Sequence, residues 1–506
     1  IDSIPRPRLI SCSPPGIGLS HLSLRKTDWR PARWGCVWVP ASVESAPKRW
    51  LTWPFLALIG CIALPLQVSP FWEWSTPQTE DREAFGYTEV TATPDDIAFT
   101  AETHDEQLLG IVVTGRALVE GDRFEIVYGA GPLGARTDSY AERDSRFWFA
   151  VDGDGDGTRL FLPDSPGIEV LPGAAAQLFA SLPSVARPGE TIRLTVAALD
   201  AKRNAGVEIA GPIAIVDPPD GLEVPDGARF EGNDAGRKSF DVVAREPGVY
   251  RLTVEAGGMR AETNPLHVAA DAPRVLWGDL HGHTHFSDGT GVPEDYFRYA
   301  RDVAGLDVAA LTDHDHWGVL PLVKHRDLWD EIRAQTRSFH EPGRFVTLLG
   351  FEWTNWVHGH RHVLYFDDDG PLIDSVAEET DSPVELWSAL EGRDALTFAH
   401  HSAGGPVGTD WSIPPDPRFE PLTEIVSIHG SSEAMDSPGV IYDPRPGNFV
   451  RDVLDRGIRL GFVGSGDGHD GHPGVFENRY MGGLAAILAE EHTRASVLAA
   501  LRERRV

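Results

Sequence analysis

Trp277-Gly-Asp-Leu-His-Gly-His-Thr-His-Phe-Ser-Asp-Gly289 is the stretch from which the rest of the chain is read. Val275 to Leu280 has the apolar character of a short strand, and it runs straight into side chains that bind metals. His281 and His283 are two residues apart, so an extended backbone sends both imidazoles to one face. Asp288 follows on a Ser-Asp-Gly turn able to fold back toward them. Two imidazoles and a carboxylate form a ligand set for zinc, manganese or iron. A lone His-x-His is common on ordinary surfaces, so the reading depends on what recurs downstream.

Downstream, the pattern alternates strands and helices. A helix opens at Val292-Pro293-Glu294 and stops at Gly305. The next predicted strand, Leu306 to Leu311, ends in Thr312-Asp-His-Asp-His316. After a second helix over roughly Leu320 to Arg337, strand Phe345 to Phe351 ends in Glu352. Strand His360 to Phe366 carries two histidines, and Ala395 to Ala399 ends in His400-His401. Strand Glu424 to Ile428 ends in His429, and Arg459 to Val463 leads to Gly464-Ser-Gly-Asp-Gly-His469. Strands alternating with helices predict a parallel sheet, whose carboxyl ends converge on one face. His, Asp or Glu at so many strand ends points to a polynuclear metal centre. Sixteen of the 19 histidines lie between Asp271 and Val506, which places that centre in the C-terminal half.

Bulk properties narrow the chemistry. The formal net charge is −31 over 506 residues, which disfavours nucleic acid as a partner. Cys12, Cys36 and Cys61 are the only cysteines, all before residue 62, so no thiolate site can serve the folded body. Any metal there is held by His, Asp and Glu.

Toward the N-terminus, residues 1–47 lack periodicity and are expected to be disordered. Lys48-Arg49 then precedes an apolar run, Trp50 to Val68. Residues 48–75 read as a signal peptide or membrane anchor of an exported bacterial-type protein: periplasmic, extracellular or membrane-tethered. Leu58-Ile59-Gly60-Cys61 resembles a lipobox, although apolar residues continue beyond it. Residues 83–174 and 175–272 show short alternating runs separated by Gly, Asp and Pro, the pattern of all-β sandwich domains, the second immunoglobulin-like. Asp152, Asp154 and Asp156 in Asp-Gly-Asp-Gly-Asp-Gly are spaced as calcium ligands are, but position twelve is Pro163 and no helices flank the loop. It is either a tight acidic turn or a calcium site.

From Arg274 onward the residues resemble the PHP (polymerase and histidinol phosphatase) superfamily of metal-dependent phosphoesterases. Phe351-Glu-Trp, Gly359-His-Arg and the Gly-Ser-Ser-Glu433 turn are similar to its branch labelled domain of unknown function 3604. The resemblance implies that residues 273–506 form a distorted (β/α)7 barrel holding two or three divalent ions: zinc, manganese or iron. It implies His281, His283, Asp288, His314, Glu352, His362, His400, Asp467 and His469 as ligands. His360 shares a strand face with His362, could replace it and is counted with it among the candidate ligands; His401 is a second possibility for the position of His400. Ser-Gly-Asp-Gly-His has one residue more than the Ser-Asp-x-His common in the family. Members of that branch usually continue beyond the helix from Thr493 with which this chain stops.

A bound cation brings the pKa of water toward about 7, and a carboxylate shared between cations offsets their repulsion. The resemblance implies Glu352 as the carboxylate shared between two metals, and Asp467 stands with Glu352 among the candidate catalytic residues. His429 is a candidate proton donor to the leaving group, and Arg361, Arg479 and His401 are candidates for gripping substrate. Asp313, Asp315 and His316 are expected to orient ligands, and His285 to pack locally. The expected activity is hydrolysis of a small phosphoester. Hydrolysis of another ester or amide, or a non-catalytic binding protein on the same scaffold, are the alternatives.

Overall fold

The computed structural model describes residues 74–104, 108–153, 155–162, 165–475 and 482–506, together with the strands at 23–25, 32–37 and 61–63. It is a multidomain, strand-rich protein with two compact units, Ile1–Ser139 with Asp144–Glu169, and Tyr140–Arg143 with Val170–Val506.

In the first unit, Arg123–Tyr128 pairs antiparallel with Thr88–Thr93 on one side and Ala32–Val37 on the other. Ala32–Val37 also pairs with Ser23–Arg25, so part of the segment read as disordered is strand. Within the segment read as signal or anchor, Cys61–Ala63 is a strand between Leu108–Thr114 and Trp148–Val151. The remainder of 1–75, apart from Trp74 and Ser75, lies outside the described residues. No helix among the described residues is long and apolar enough to cross a membrane. At the acidic turn, Asp152 is buried and its carboxylate accepts the backbone N–H groups of Gly155 and Gly157 at 2.7 and 3.0 Å. That is the hydrogen bonding of a self-capped turn; Asp154 lies outside the described residues.

In the second unit, residues 177–268 form strands around one apolar core that includes Leu194, Val196, Phe230, Val242, Val254 and Leu266. Ala197 and Leu199 join the core formed by Tyr296, Phe297 and Ala300, so no unit boundary falls at 272.

The elements that carry the site follow. They are β1 (Leu276–Asp279), α1 (Pro293–Tyr299), β2 (Val308–Leu311), α2 (Arg326–Ser338), β3 (Val346–Trp353) and β4 (Arg361–Tyr365). Then come α3 (Pro383–Ala389), β5 (Ala395–Ala399), β6 (Leu422–Ser427), β7 (Gly430–Ser431), α4 (Val450–Asp455), β8 (Gly461–Gly464), β9 (Ala485–Ile487) and α5 (Arg494–Arg502). Pro293 starts α1, where its missing N–H costs nothing, with Glu294 and Asp295 in the first turn. The helix continues as a π-turn, Ala300–Ala304, and ends at Gly305, whose φ of 67° is left-handed. A Cβ there would also strike Ser181 Oγ at 2.3 Å, so glycine is required twice over. Ser382 and Glu385 form a capping box at the start of α3.

Strands β2 to β5 are buried along their whole length, as apolar strands covered on both faces must be. The strand order is β7-β6-β5-β4-β3-β2-β1-β9, with β8 beside β6. The sheet is not wholly parallel as the alternation predicted. β4 runs antiparallel to both β3 and β5. The cause is the connection, because residues 354–360 between β3 and β4 are too few for a helical crossover and make a hairpin. Beyond β8 the chain returns to the start of the sheet. Asp467 N–H donates to His281 O, and His283 N–H to Gly468 O, each at 2.9 Å.

Candidate metal centre

Four elements of register bring the ligand-type side chains together. Glu352 lies directly opposite His362 in the β3–β4 ladder, so their side chains share a face. His314 extends the β2–β3 pairing by bridging Glu352. His400 follows β5 immediately. The bonds between the ends of β1 and β8 set His281 and His283 against Asp467.

The result is a set of buried groups whose donor atoms lie within 4.8 Å of one another. One holds His281, Glu352, His362 and His400, a second His283, Asp288, His314 and His469. A third holds His281, His400, Glu424 and Asp467, and a fourth His360, His400 and His401. Every residue expected to bind metal is therefore in the cluster, and both alternatives, His360 and His401, are drawn in rather than replacing their neighbours. His281 Nε2 is 3.0 Å from Asp467 Oδ1, 3.1 Å from His283 Nε2 and 3.4 Å from Glu352 Oε2. Asp288 lies 3.4 Å from both His314 Nε2 and His469 Nε2. Ligand bonds of about 2.0–2.2 Å place neighbouring donors roughly 3–3.5 Å apart, so the spacing suits divalent cations.

The histidines are also oriented. His281 Nδ1 faces Glu424 Oε2 at 2.9 Å, and His469 Nδ1 donates to Asp467 O at 2.8 Å. His314 Nδ1 is 2.6 Å from Thr354 Oγ1, whose own proton goes to Glu352 O, so the imidazole donates. His283 Nδ1 meets Ser287 Oγ at 3.4 Å, and that hydroxyl donates to Asp313 Oδ1. In all four, Nδ1 is tied to an oxygen, and Nε2 is left to face the cluster, the arrangement that outer partners impose on metal-binding imidazoles. Both ring nitrogens of His362, fully buried, have no hydrogen-bond partner among the described residues. Glu352 Oε2 and Asp288 Oδ1 face imidazole nitrogens at 3.4 Å but accept no hydrogen bond among the described residues. Buried polar atoms without partners are rare and costly, and a bound cation satisfies them.

Charge within the cluster is shared between acids and imidazoles. Burial resists ionisation of Glu352, Asp288 and Asp467, yet neighbouring imidazoles hold all three well below the ordinary carboxyl range: His314 and His400 for Glu352, His314 and His469 for Asp288, His281 and His429 for Asp467. Burial resists protonation of His281 and His314, but Asp467 and Glu424 raise the first and Glu352 and Asp288 the second, well above the ordinary value. Burial and the His469 imidazole push His283 down to about 3. Burial, with neighbouring imidazoles, likewise keeps His362 and His401 neutral.

Asp467 has a left-handed backbone, φ 53°, at the position where Ser-Gly-Asp-Gly-His is one residue longer than the family pattern. Such strain in a non-glycine residue persists only where surrounding bonds enforce it, and here the His281 carbonyl does so. Asp313 takes both Thr284 groups and Ser287 Oγ, which pins the loop carrying His283 and Asp288. Asp315 accepts Thr354 N–H and Ser375 N–H at 3.0 and 2.6 Å. His429 is more open, its side chain 27% exposed, with Nε2 3.1 Å from Asp467 Oδ2.

Arg361 does not reach the centre. It points to the face opposite His360 and His362, fully buried, and its Nε donates to Glu420 Oε2 at 2.9 Å. Its Nη1 caps the His358 and Gly359 carbonyls, so the guanidinium serves the fold and not a substrate. Arg479 lies outside the described residues. Two residues were missed by the sequence reading. Glu424 sits within β6, in Leu-Thr-Glu-Ile-Val, where a buried acid in an apolar strand was the available signal. Asp279, at the end of β1, accepts Gly466 and Gly474 N–H groups, and burial pushes its carboxyl up to about 7.

Residues 308–440 match the family described as Protein of unknown function (DUF3604), from β2 to just past β7. The matched span includes His314, Glu352, His362, His400 and Glu424. The chain is 29% identical over 273 residues to an uncharacterized protein of Chlamydia pneumoniae, an alignment covering 51% of this chain and 43% of the relative. It is 26% identical over 278 residues to an uncharacterized protein of Chlamydia trachomatis serovar D, covering 51% and 44%. The chain thus spans less than half the length of these curated relatives. Among solved structures, it is similar to a two-domain protein of Bacteroides vulgatus containing a predicted PHP-like metal-dependent phosphoesterase, at 20% identity and a TM-score of 0.33, over 46% of this chain and 64% of that one.

Proposed function

We propose that this protein is a metal-dependent hydrolase of phosphate esters, built on a seven-strand ring, β1 to β6 with β8, of the distorted (β/α)7 kind. One observation carries the reading: four histidines with Nδ1 tied to oxygen turn Nε2 toward buried carboxylates, while neither nitrogen of His362 has a hydrogen-bond partner among the described residues. This donor set fits zinc, manganese or iron, and its number of ligands suits two or more ions. Such ions, when bound, supply Lewis acidity and acidify water near neutral pH.

The chain's own residues do the rest. Glu352 sits between the groups, 3.4 Å from both His281 and His283 and 3.0 Å from His400, where one carboxylate can be shared. Asp467, held ionised by His281 and His429, would accept a hydrogen bond from an incoming water and orient it. His429 Nε2, at the open side of the cluster, delivers a proton to the leaving alcohol. Glu424, Ser287, Thr354 and Asp313 keep the imidazoles aimed. Two or more close cations suit a doubly charged phosphoryl group better than a neutral amide, which supports the phosphoester over the alternatives.

Elemental analysis of the purified chain, with a panel of phosphate mono- and diesters, carboxylic esters and amides, tests the proposal. At least two equivalents of metal and turnover of phosphoesters are expected. Less than one equivalent after loading with manganese and zinc would overturn the metal reading, and turnover confined to carboxylic esters or amides would overturn the substrate.

A further inference from the structure

Trp317 and Trp356 are 43% and 46% exposed, beside a cluster that is otherwise buried. Their ring centroids are 5.2 Å apart with planes at 57°, an open wedge of two indoles. Trp356 stands edge-on to His360, centroids 5.5 Å apart at 86°, and His360 Nδ1 is 2.7 Å from Glu352 Oε1. One imidazole therefore separates the indole from the central carboxylate.

The exposed indole is held in place. Trp356 Nε1–H donates to His316 Nε2 at 2.9 Å. Indole only donates, so that nitrogen accepts and the His316 proton sits on Nδ1, which lies 3.0 Å from both Asp315 Oδ1 and Ser375 Oγ. The backbone is pinned as well. Asn355 Oδ1 accepts the N–H groups of Val357 and His358, and its Nδ2 donates to the Ser375 and Asp381 carbonyls. A surface tryptophan with no task requires neither restraint. Large apolar faces left in water cost free energy that a flat ligand recovers by stacking.

We propose that Trp317 and Trp356 form a substrate platform, and that the preferred esters carry an aromatic or heteroaromatic ring on their alcohol portion. The indoles contact each other and the imidazoles of His316 and His360, flat aromatic neighbours whose stacking geometry suits a planar ring. This rests on the hydrolase reading for its kinetics but not for its binding.

The full chain, loaded with manganese or zinc, is compared with Trp317→Ala and Trp356→Ala. kcat/KM is measured for phenyl and 1-naphthyl phosphate against ethyl phosphate, and 1-naphthol binding is followed by saturation-transfer NMR against cyclohexanol. The aryl-to-alkyl ratio should fall about tenfold in each variant, mainly through KM, with ethyl phosphate and metal content unchanged. Naphthol binding should be lost in both, and Trp356→Phe should retain part of it. Since Trp317 lies outside the Asn355 and His316 restraints, its variant carries the test if Trp356→Ala loses metal. Unchanged ratios and unchanged naphthol binding would overturn the platform while leaving the hydrolase reading intact. Naphthol binding that depends on the tryptophans, in a protein hydrolysing no phosphoester, would overturn the hydrolase reading and leave the platform standing.

Discussion

His281 Nδ1 lies 2.9 Å from Glu424 Oε2, both fully buried, at the carboxyl end of β1 and inside β6. The contact fixes which nitrogen of His281 carries a proton, and turns Nε2 toward His283, Glu352 and Asp467. Glu424 thus acts through His281, although its own oxygens also stand among the ligand-type atoms.

Glu424→Gln should retain the shape of that contact and lose its charge. Loss of an outer partner of this kind typically weakens metal affinity or activity about 10–100-fold. Chelator competition on the native chain and the variant measures it. An unchanged affinity would show that His281 needs no orienting partner.

Glu352→Gln should cost far more. The carboxylate is shared by His281, His283, His314, His360 and His400, and an amide neither carries charge nor bridges well. Metal content should drop and turnover fall by about three orders of magnitude or more, on the scale of removing a main electrostatic contributor. Asp315→Asn is the control, because the Asp315 carboxylate meets the backbone amides of Thr354 and Ser375 and the His316 imidazole, and belongs to none of the ligand-type groups. Equal, small losses in both variants at full metal loading would withdraw Glu352 as the shared ligand.

Most of the cluster was legible because metal-binding side chains at strand ends leave a mark in one dimension. His281, His283, His314, Glu352, His400, Asp467 and His469 each follow or end an apolar run. Glu424 left no such mark, since it lies within β6 and only the return of β8 to β1 gives it a partner 143 residues away. Direction was illegible for a similar reason. Whether β4 runs parallel or antiparallel depends on the span between β3 and β4, and an apolar run reads alike in either sense. Arg361 looked like a phosphate ligand because it stands between His360 and His362. Strand alternation turns it to the other face, and sequence alone did not disclose Glu420 waiting there.

Arg361→Met should therefore affect stability and not substrate binding. It leaves Glu420 buried with Thr397 Oγ1 as its remaining partner, and breaking a buried pair from one side typically costs about 3–5 kcal/mol. Thermal melts should show a lowered Tm, and Arg361→Met with Glu420→Gln should recover part of it. A raised KM for phosphoesters with an unchanged Tm would return Arg361 to the substrate.

Metal binding should expel protons, and its pH dependence follows from His281 and His314. Without metal, Asp467 and Glu424 hold the His281 proton, and Glu352 and Asp288 that of His314, to pH values well above the ordinary histidine range. Both imidazoles are therefore protonated at neutral pH, and each must lose its proton before Nε2 can take a cation. Affinity should rise with pH by up to about two powers of ten per pH unit, one for each proton released. Stability of the metal-free chain runs the other way. A histidine whose folded pKa is raised contributes stability that is complete below the unfolded value of about 6.5 and is lost as pH climbs through the folded one. The Tm of the metal-free chain should then fall on going alkaline while that of the loaded chain holds, so the gap between them widens with pH. Titration calorimetry in buffers of different ionisation enthalpy counts the protons, and paired melts follow the gap. Release of no protons at neutral pH, or a gap that narrows as pH rises, would show that these two imidazoles do not bind the metal.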